Sequence, residues 1–285
     1  MHPVKLINAA LLLLSAWSIA ACGGDSAVGK SAQGDVPAGQ ITTVRIGVCP
    51  GPYGIMLEKG IAPYLEKKNI KLEVIEFADG QQTNVALESR DLDANLMQHR
   101  IYLESLLQNN RIKGLVSLIT VPTLGTAVFS DKYESLDELK SGDEILLPVE
   151  AVVLARNLRF ARDAGLITLK EQSDVSKASL DDIEDNKYGV KFVLVDQPQI
   201  ARMLDSVEVG FVPGNYAIAA GLDFNDALAI EKVEEDFKNA IVVREDNINT
   251  VGQLLREAVQ SEDFRNAIEG DDYFNGFDRP AWWHK

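Results

Sequence analysis

The regular alternation of short apolar runs with amphipathic segments constrains the fold of this chain more than any other sequence feature. Residues 43–49 and 71–77 predict strands, and apolar residues at helical spacing from Tyr53 onward predict a helix between them. Strands separated by helices are typical of βαβ units and a largely parallel sheet. The first part of the chain therefore predicts an α/β fold.

A break rich in Pro and Gly at residues 122–125 separates this series from a second one. The second series has predicted strands at residues 126–130, 144–148, 191–195, 208–212 and 227–231, and predicted helices at 154–164, 199–204 and 215–220. A late strand at 239–244 is placed to return to the first series. We therefore expect two lobes, lobe I from residues 42–122 plus 237–285 and lobe II from residues 123–236. A ligand site is expected in the cleft between them, where the carboxyl ends of strands face each other.

The N-terminus has the pattern of a targeting segment. Residues 6–20 form an apolar stretch with four consecutive leucines, which is too short for a comfortable transmembrane span. Two small residues precede Cys22, as in a bacterial lipobox, and an ordinary secretory signal with an incidental cysteine is the alternative. We expect residues 1–21 to be a signal peptide, Cys22 to be lipidated, and residues 22–41 to be a flexible tether.

Composition and charge exclude several classes of function. The chain carries 28 Lys and Arg against 43 Asp and Glu, a net charge of −15, so it lacks the basic surface that nucleic acid requires. Its two cysteines are too few for a disulfide framework or a cysteine zinc site. The sequence contains no phosphate-binding loop, HExxH pair or EF-hand loop. We therefore predict no metal, no cofactor and no nucleic-acid partner.

Three polar residues follow predicted strands and are candidates to face a ligand. His99, the only histidine away from the chain ends, lies in a Gln-His-Arg sequence that ends an apolar run. Arg156 lies in the first turn of a predicted helix, where a guanidinium can grip a carboxylate and free helix N–H groups favour an anion. Asn215 offers both donors and an acceptor. The alternatives are a satisfied strand end for His99, an ion pair for Arg156 and a turn for Asn215.

Short motifs occur in a fixed order along the chain. They are Gly47-Val48-Cys49-Pro50-Gly51-Pro52, Phe77-Ala78-Asp79, Asp93-Ala94-Asn95 with Gln98-His99-Arg100, Gly165-Leu166-Ile167-Thr168-Leu169-Lys170, Gly214-Asn215-Tyr216-Ala217, Val243-Arg244-Glu245-Asp246 and Pro280-Ala281-Trp282. Together with the lipobox, this series resembles the NlpA/MetQ lipoprotein family, the substrate-binding proteins of bacterial methionine ABC importers. The resemblance implies a type II periplasmic-binding-protein fold, with two Rossmann-like lobes joined by a two-strand hinge.

The resemblance also implies a function. It predicts a lipoprotein of the cell envelope, on the periplasmic face or the cell surface, that holds a small amino-acid-like ligand by hinge closure. The expected partners are that ligand, the membrane through the lipid on Cys22, and an inner-membrane permease with its ATPase. No enzymatic activity is expected.

Site residues follow from the resemblance position by position. Arg156 matches the arginine that grips the α-carboxylate, Asn215 matches the asparagine at the amino end, and His99 and Tyr102 are expected to line the cleft. The full set of predicted ligand-binding residues is Tyr53, Gly80, Met97, His99, Tyr102, Val153, Arg156 and Asn215.

The chain departs from the family pattern within this set. Gly80 stands where the family has an aromatic ring, Met97 where it has phenylalanine, and Val152-Val153 where it has a Thr-Asn pair. Losing a hydrogen-bond partner to a buried carboxylate costs about 1.5–3 kcal/mol, roughly tenfold to a hundredfold in affinity. We therefore expect a changed ligand: another amino acid, a methionine derivative or a short peptide.

Two alternatives stay open from the sequence. Cys49 ends the first predicted strand and would face the same cleft as His99, so the two could form a nucleophile and its base in a periplasmic enzyme on the same fold. A small buried thiol is the structural alternative for Cys49. The second possibility is a surface lipoprotein that no longer serves transport.

Overall fold

The computed structural model describes residues 41–171 and 176–284. The predicted signal peptide, Cys22 and all but the last residue of the predicted tether lie outside the described residues. Within the part of the chain that is described, no helix is long and apolar enough to cross a membrane.

Two five-stranded sheets organise the described residues. The strands of the first sheet are β1 (Thr43–Val48), β2 (Lys71–Glu76), β3 (Ala94–His99), β4 (Leu115–Thr120) and β12 (Asn239–Arg244). Their spatial order is β2-β1-β3-β12-β4. The strand β1 pairs in parallel with β2 and β3, whereas β12 runs antiparallel to β3 and β4.

The second sheet is built from the middle of the chain. Its strands are β5 (Ala127–Phe129), β6 (Glu144–Pro148), β9 (Lys191–Val195), β10 (Val209–Val212) and β11 (Ala229–Ile230), in the order β11-β5-β10-β6-β9. Here β5 is antiparallel to both of its neighbours, and β6 is parallel to both of its own. The strands β7 (Ile167–Leu169) and β8 (Ile183–Asn186) form a separate antiparallel pair.

Helices connect and cover the strands. The α-helices are α1 (Pro52–Met56), α2 (Ala62–Glu66), α3 (Gly80–Glu88), α4 (Arg100–Gln108), α5 (Ala151–Asp163), α6 (Gln197–Ile200), α7 (Gly214–Ala219), α8 (Gln253–Val259) and α9 (Glu262–Glu269). Two π-helical segments, Leu57–Ile61 and Ile248–Gly252, join α1 to α2 and precede α8. Short 3₁₀ turns lie at Leu136–Glu138, Leu180–Asp182, Ala201–Ser206, Phe224–Asp226, Glu235–Phe237, Glu245–Asn247, Asp272–Phe274 and Ala281–His284.

Each sheet has its own apolar core. Val44, Ile46 and Leu96 are fully buried in the first, packed against the helices at both ends of the chain, and Ile145 and Phe211 are fully buried in the second. The chain leaves the first sheet after β4 and returns to it as β12. The predicted α/β alternation and the largely parallel sheets are confirmed, because a single strand in each sheet, β12 in the first and β5 in the second, runs opposite to the other four.

Several predicted boundaries are corrected. The helix α5 begins at Ala151 rather than Leu154. The strand predicted at 227–231 contains only Ala229–Ile230, and the β7–β8 pair was not predicted. The boundaries of the two lobes stay a prediction.

Candidate functional site

A cavity of about 950 Å³ is lined by residues that follow strands of both sheets. The first sheet contributes side chains after β1 and at the end of β3, and the second contributes residues after β6 and β10. All eight predicted ligand-binding residues line this one cavity: Tyr53, Gly80, Met97, His99, Tyr102, Val153, Arg156 and Asn215. The chain thus brings together residues up to about 160 positions apart in sequence, and their contact with a ligand stays a prediction.

Arg156 is held by a carboxylate of the protein itself. Because α5 starts at Ala151, Arg156 lies in the second turn, and the predicted help from the free N–H groups of the first turn is wrong. Its Nε and Nη2 donate to Glu231 Oε1 and Oε2, both at 2.7 Å, and the two side chains are only 11% and 12% exposed. The guanidinium lies 5.3 Å from the centre of the Phe237 ring. Among the described residues Nη1 has no hydrogen-bond partner, so one edge of the guanidinium is left to receive an anion.

His99 combines the two roles that the sequence left open. It is the N-cap of α4, where its Nδ1 accepts a hydrogen bond from the backbone N–H of Tyr102 at 3.2 Å, and it also lines the cavity. Burial lowers the pKa of His99 well below its ordinary value, and the positive charge of Arg156 adds to this effect. A neutral imidazole that accepts at Nδ1 carries its proton on Nε2. His99 is therefore a neutral donor.

Asn215 makes a contact that the sequence does not predict. Its Nδ2 donates to the backbone carbonyl of Pro50 at 3.3 Å, so it ties the loop after β1 to the start of α7. The neighbouring Gly51 has φ of +127°, and a Cβ there would lie 2.5 Å from the backbone oxygen of Asn215. Glycine is thus required where the two segments meet. One amide hydrogen of Asn215 is committed to this contact, which leaves Oδ1 as the group with acceptor capacity for an amino end.

Gly80 and Met97, two of the departures from the family pattern, lie against each other. A Cβ at residue 80 would come within 2.9 Å of Met97 Sδ. The thioether therefore occupies the space beside Gly80 where a larger side chain would begin. The backbone before Gly80 is fixed because Asp79 Oδ1 caps α3 by accepting from the N–H of Gln82 at 2.9 Å.

Three amide side chains, of which Gln98 lines the cavity, form a buried hydrogen-bond network that the sequence does not predict. Asn84 Nδ2 donates to Gln98 Oε1 at 2.9 Å, Gln98 Nε2 donates back to Asn84 Oδ1 at 2.6 Å, and Asn95 Nδ2 donates to Asn84 Oδ1 at 2.9 Å. All three residues are at most 3% exposed. The network joins α3 to β3, and so fixes the position of Gly80 relative to Met97 and His99.

Cys49 does not have the surroundings of a nucleophile. It is buried, its Sγ lies 4.0 Å from Thr83 Oγ1, and within the described residues no hydrogen bond joins it to His99. Burial raises the pKa of the Cys49 thiol to about 11. A reactive cysteine has a lowered pKa in an electropositive setting, so this geometry favours the small buried thiol.

The sequence analysis missed three charged or polar residues at the site. Glu231 holds Arg156, while Glu150 and Asn239 line the cavity directly. In the sequence, only their positions next to strands could have indicated Glu150 and Asn239 as site residues. Glu150 follows β6, and Asn239 is the first residue of β12. No group of three or more His, Cys, Asp or Glu side chains able to hold a metal occurs among the described residues.

The two-sheet fold is of the periplasmic-binding-protein class. A periplasmic substrate-binding protein of an ABC transporter from Coxiella burnetii is similar in structure, with a TM-score of 0.75, 31% identity, and coverage of 84% of this chain and 100% of that chain. A nutrient-binding protein from Burkholderia cenocepacia, solved bound to methionine, gives a TM-score of 0.77 and 29% identity over 83% of this chain and 99% of that chain.

The family follows from the sequence match. The NlpA lipoprotein family model matches residues 44–282, so this chain belongs to the NlpA lipoprotein family. The D-methionine-binding lipoprotein MetQ of Salmonella typhi is 32% identical over 243 residues, which cover 84% of this chain and 88% of that protein. The resemblance predicted from the short motifs is confirmed, and with it the periplasmic-binding-protein fold class.

Proposed function

We propose that this protein is the substrate-binding lipoprotein of an ABC importer and that it captures a small α-amino acid in the cavity between its two sheets. The observation that carries the proposal is the meeting of all eight predicted binding residues at one cavity. Methionine-binding and ABC-transport proteins among its relatives support the same function. The lipid on Cys22 would hold the protein to a membrane of the cell envelope and keep it near its permease.

The ligand carboxylate would lie at the free edge of Arg156. Nη1 has no hydrogen-bond partner within residues 41–171 and 176–284, and Glu231 and Phe237 already fix the direction of the guanidinium. A charge-assisted hydrogen bond to a carboxylate is about twice as strong as a neutral one. The Nε2–H of neutral His99 and Oδ1 of Asn215 are further polar groups for the ligand.

Capture would occur by closure of lobe I on lobe II. A ligand that touches Arg156 on one side and His99 on the other binds the closed arrangement better than an open one, and so shifts the population toward it. The contact between Asn215 and the Pro50 carbonyl is one that closure would make and opening would break.

Calorimetry of unfolded and refolded, ligand-free protein against a panel of L-amino acids tests the proposal. The amide of each bound amino acid, which lacks the carboxylate, is expected to bind at least about tenfold more weakly. Arg156→Lys keeps the charge beside Glu231 but removes the Nη1 edge, and should weaken binding by a similar factor. Binding of no amino acid, or equal binding of acid and amide, would contradict the proposed function.

Arg159 provides a matched control. It stacks on the same Phe237 ring at 5.2 Å and pairs with Glu234, but it is not among the residues that line the cavity. Arg159→Lys should therefore leave affinity unchanged. Loss of affinity in both variants would point to disruption around Phe237 instead of loss of a carboxylate contact.

A further inference from the structure

The cavity has a second charged end, centred on Glu150. This residue lies between β6 and α5, lines the cavity, and does not cap the helix with its side chain. Its Oε2 is buried and has no hydrogen-bond partner among the described residues. A buried carboxylate oxygen without a partner is costly, so its place at a binding cavity calls for a donor from the ligand.

Arg156 at one end of the cavity and Glu150 at the other influence the pKa values of different lining residues. Burial raises the pKa of Tyr53 to about 12 and lowers that of His99, and the charge of Arg156 acts on both. Burial also raises the pKa of Tyr102 to about 12, and here the negative charge of Glu150 adds to the effect. Burial also raises the pKa of Tyr216, and electrostatic interactions with Cys49 and Glu150 raise it further.

The spacing between the two ends suits a particular ligand length. Glu150 precedes Arg156 by six positions, so the Cα atoms of the two residues lie about 9 Å apart along the axis of α5 and on different sides of the helix. An α-ammonium is attached to the carbon next to the carboxylate and does not span such a distance. The charged end of an extended basic side chain does.

The remaining charges at the cavity favour a cation. The acidic lining residues are Glu76, Asp79, Glu150 and Asp196, and the basic ones are Arg156 and Arg202. Arg156 is already neutralised by Glu231. Arg202, Glu76 and Asp196 are exposed to solvent, which leaves Asp79 and Glu150 as the half-buried charges of the lining. The tyrosines beside Glu150 add aromatic faces and neutral hydroxyls, which also suit an ammonium or guanidinium group.

We propose that the ligand is an amino acid with a positively charged side chain, such as lysine, ornithine or arginine, and that Glu150 is the counter-charge for that side chain. The proposal rests on the proposed function, because it needs the ligand carboxylate at Arg156.

The test compares lysine with norleucine, which has the same carbon chain without the ammonium group. Calorimetry on ligand-free wild-type protein should show lysine binding about tenfold to a hundredfold more tightly. Glu150→Gln should remove this preference by weakening lysine while leaving norleucine within about twofold. Glu76→Gln is the matched control, since it removes an exposed carboxylate at the same cavity and should keep the preference.

The outcomes separate the two proposals. Norleucine or methionine binding as tightly as lysine in the wild type would overturn the assignment of Glu150 and leave the proposed function standing. Absence of binding by every amino acid would overturn both. If Glu150→Gln does not fold, as judged by circular dichroism, the wild-type comparison still decides, and Glu150→Asp, which withdraws the carboxylate by one carbon, should reduce the lysine preference.

Discussion

The Arg156 guanidinium and the Glu231 carboxylate meet side by side, with both nitrogen–oxygen distances at 2.7 Å. Each group satisfies the charge of the other in a place where neither is more than 12% exposed. The guanidinium is therefore oriented before any ligand arrives, and binding does not have to order it. Glu231 acts as a positioning residue for the arginine of the site.

This pair should be strongly coupled in stability. Glu231→Ala leaves a nearly buried guanidinium unpaired and should lower the free energy of unfolding by about 3 kcal/mol. The double variant Arg156→Met with Glu231→Met should lose much less unfolding free energy than the sum of the two single changes. Urea denaturation measures all variants. Glu234→Ala removes the partner of Arg159, but that carboxylate is 63% exposed, so a cost below about 1 kcal/mol is expected. An equal loss of unfolding free energy in Glu231→Ala and Glu234→Ala would show that burial does not determine the strength of the Arg156–Glu231 ion pair.

Gly51 and Gly80 should respond differently to substitution by alanine. At Gly51 both φ of +127° and the backbone of Asn215 oppose a Cβ, so Gly51→Ala should lower the melting temperature markedly. At Gly80 the Cβ meets only the flexible end of Met97, which can move. Gly80→Ala should therefore change the melting temperature little while altering ligand affinity. Differential scanning calorimetry with and without ligand distinguishes the two effects, and a large loss of stability in Gly80→Ala would be the contrary result.

Cys49 should resist alkylation at neutral pH. With its pKa raised to about 11 by burial, only a very small fraction is thiolate at pH 7. Iodoacetamide labelling of the folded protein, followed by mass spectrometry, should be far slower than labelling in urea. Rapid labelling of the folded chain would revive the alternative of a cysteine nucleophile with His99 as its base.

The same thiol should make the protein less stable in alkali. Above the ordinary pKa of 9.0 the unfolded chain loses this proton while the folded chain keeps it until about 11, so stability falls as pH rises through that window. Cys49→Ala should flatten this part of the stability curve. Urea midpoints at pH 8 and pH 10, taken for both proteins, provide the comparison.

His99 should contribute an opposite slope in acid. Its lowered pKa means that the unfolded chain binds a proton below its ordinary value of 6.5 while the folded chain does not, so stability falls as pH drops below about 6.5. One proton gives at most about 1.4 kcal/mol per pH unit. His99→Asn keeps an N-cap for α4 and should reduce the loss of stability between pH 7 and pH 5. An unchanged slope would indicate that other groups dominate.

The sequence predicts the residues of this site better than their partners. Apolar runs located the strand ends and with them the candidates His99, Arg156 and Asn215, the family resemblance completed the set, and all eight residues line the cavity. The partner of Arg156 could not be found because Glu231 lies 75 positions away among many acidic residues. The Asn215 contact with Pro50 joins two loops whose approach depends on tertiary packing.

The sequence pattern predicts the direction of most strands but not the one reversed strand in each sheet. A βαβ rhythm predicts parallel pairing, and this holds for β1 with β2 and β3. The first strand after each crossing between the sheets, β5 and then β12, runs antiparallel to both of its neighbours, and the alternation of helices and strands does not predict this. The α5 boundary was misplaced because Val152 and Val153, poor helix formers, open the helix under tertiary control.

The position of β12 has a consequence for how the protein is made. β4 pairs only with β12 in the first sheet, so Leu115–Thr120 has no neighbour until residues near 240 have been synthesised. The second sheet draws only on residues 127–230 and can assemble sooner. The strands β2, β1 and β3 pair with one another without later residues, so β4 is the N-terminal strand that has to wait for β12 before it can join the first sheet. A nascent chain halted before that point would expose an open strand edge to its surroundings.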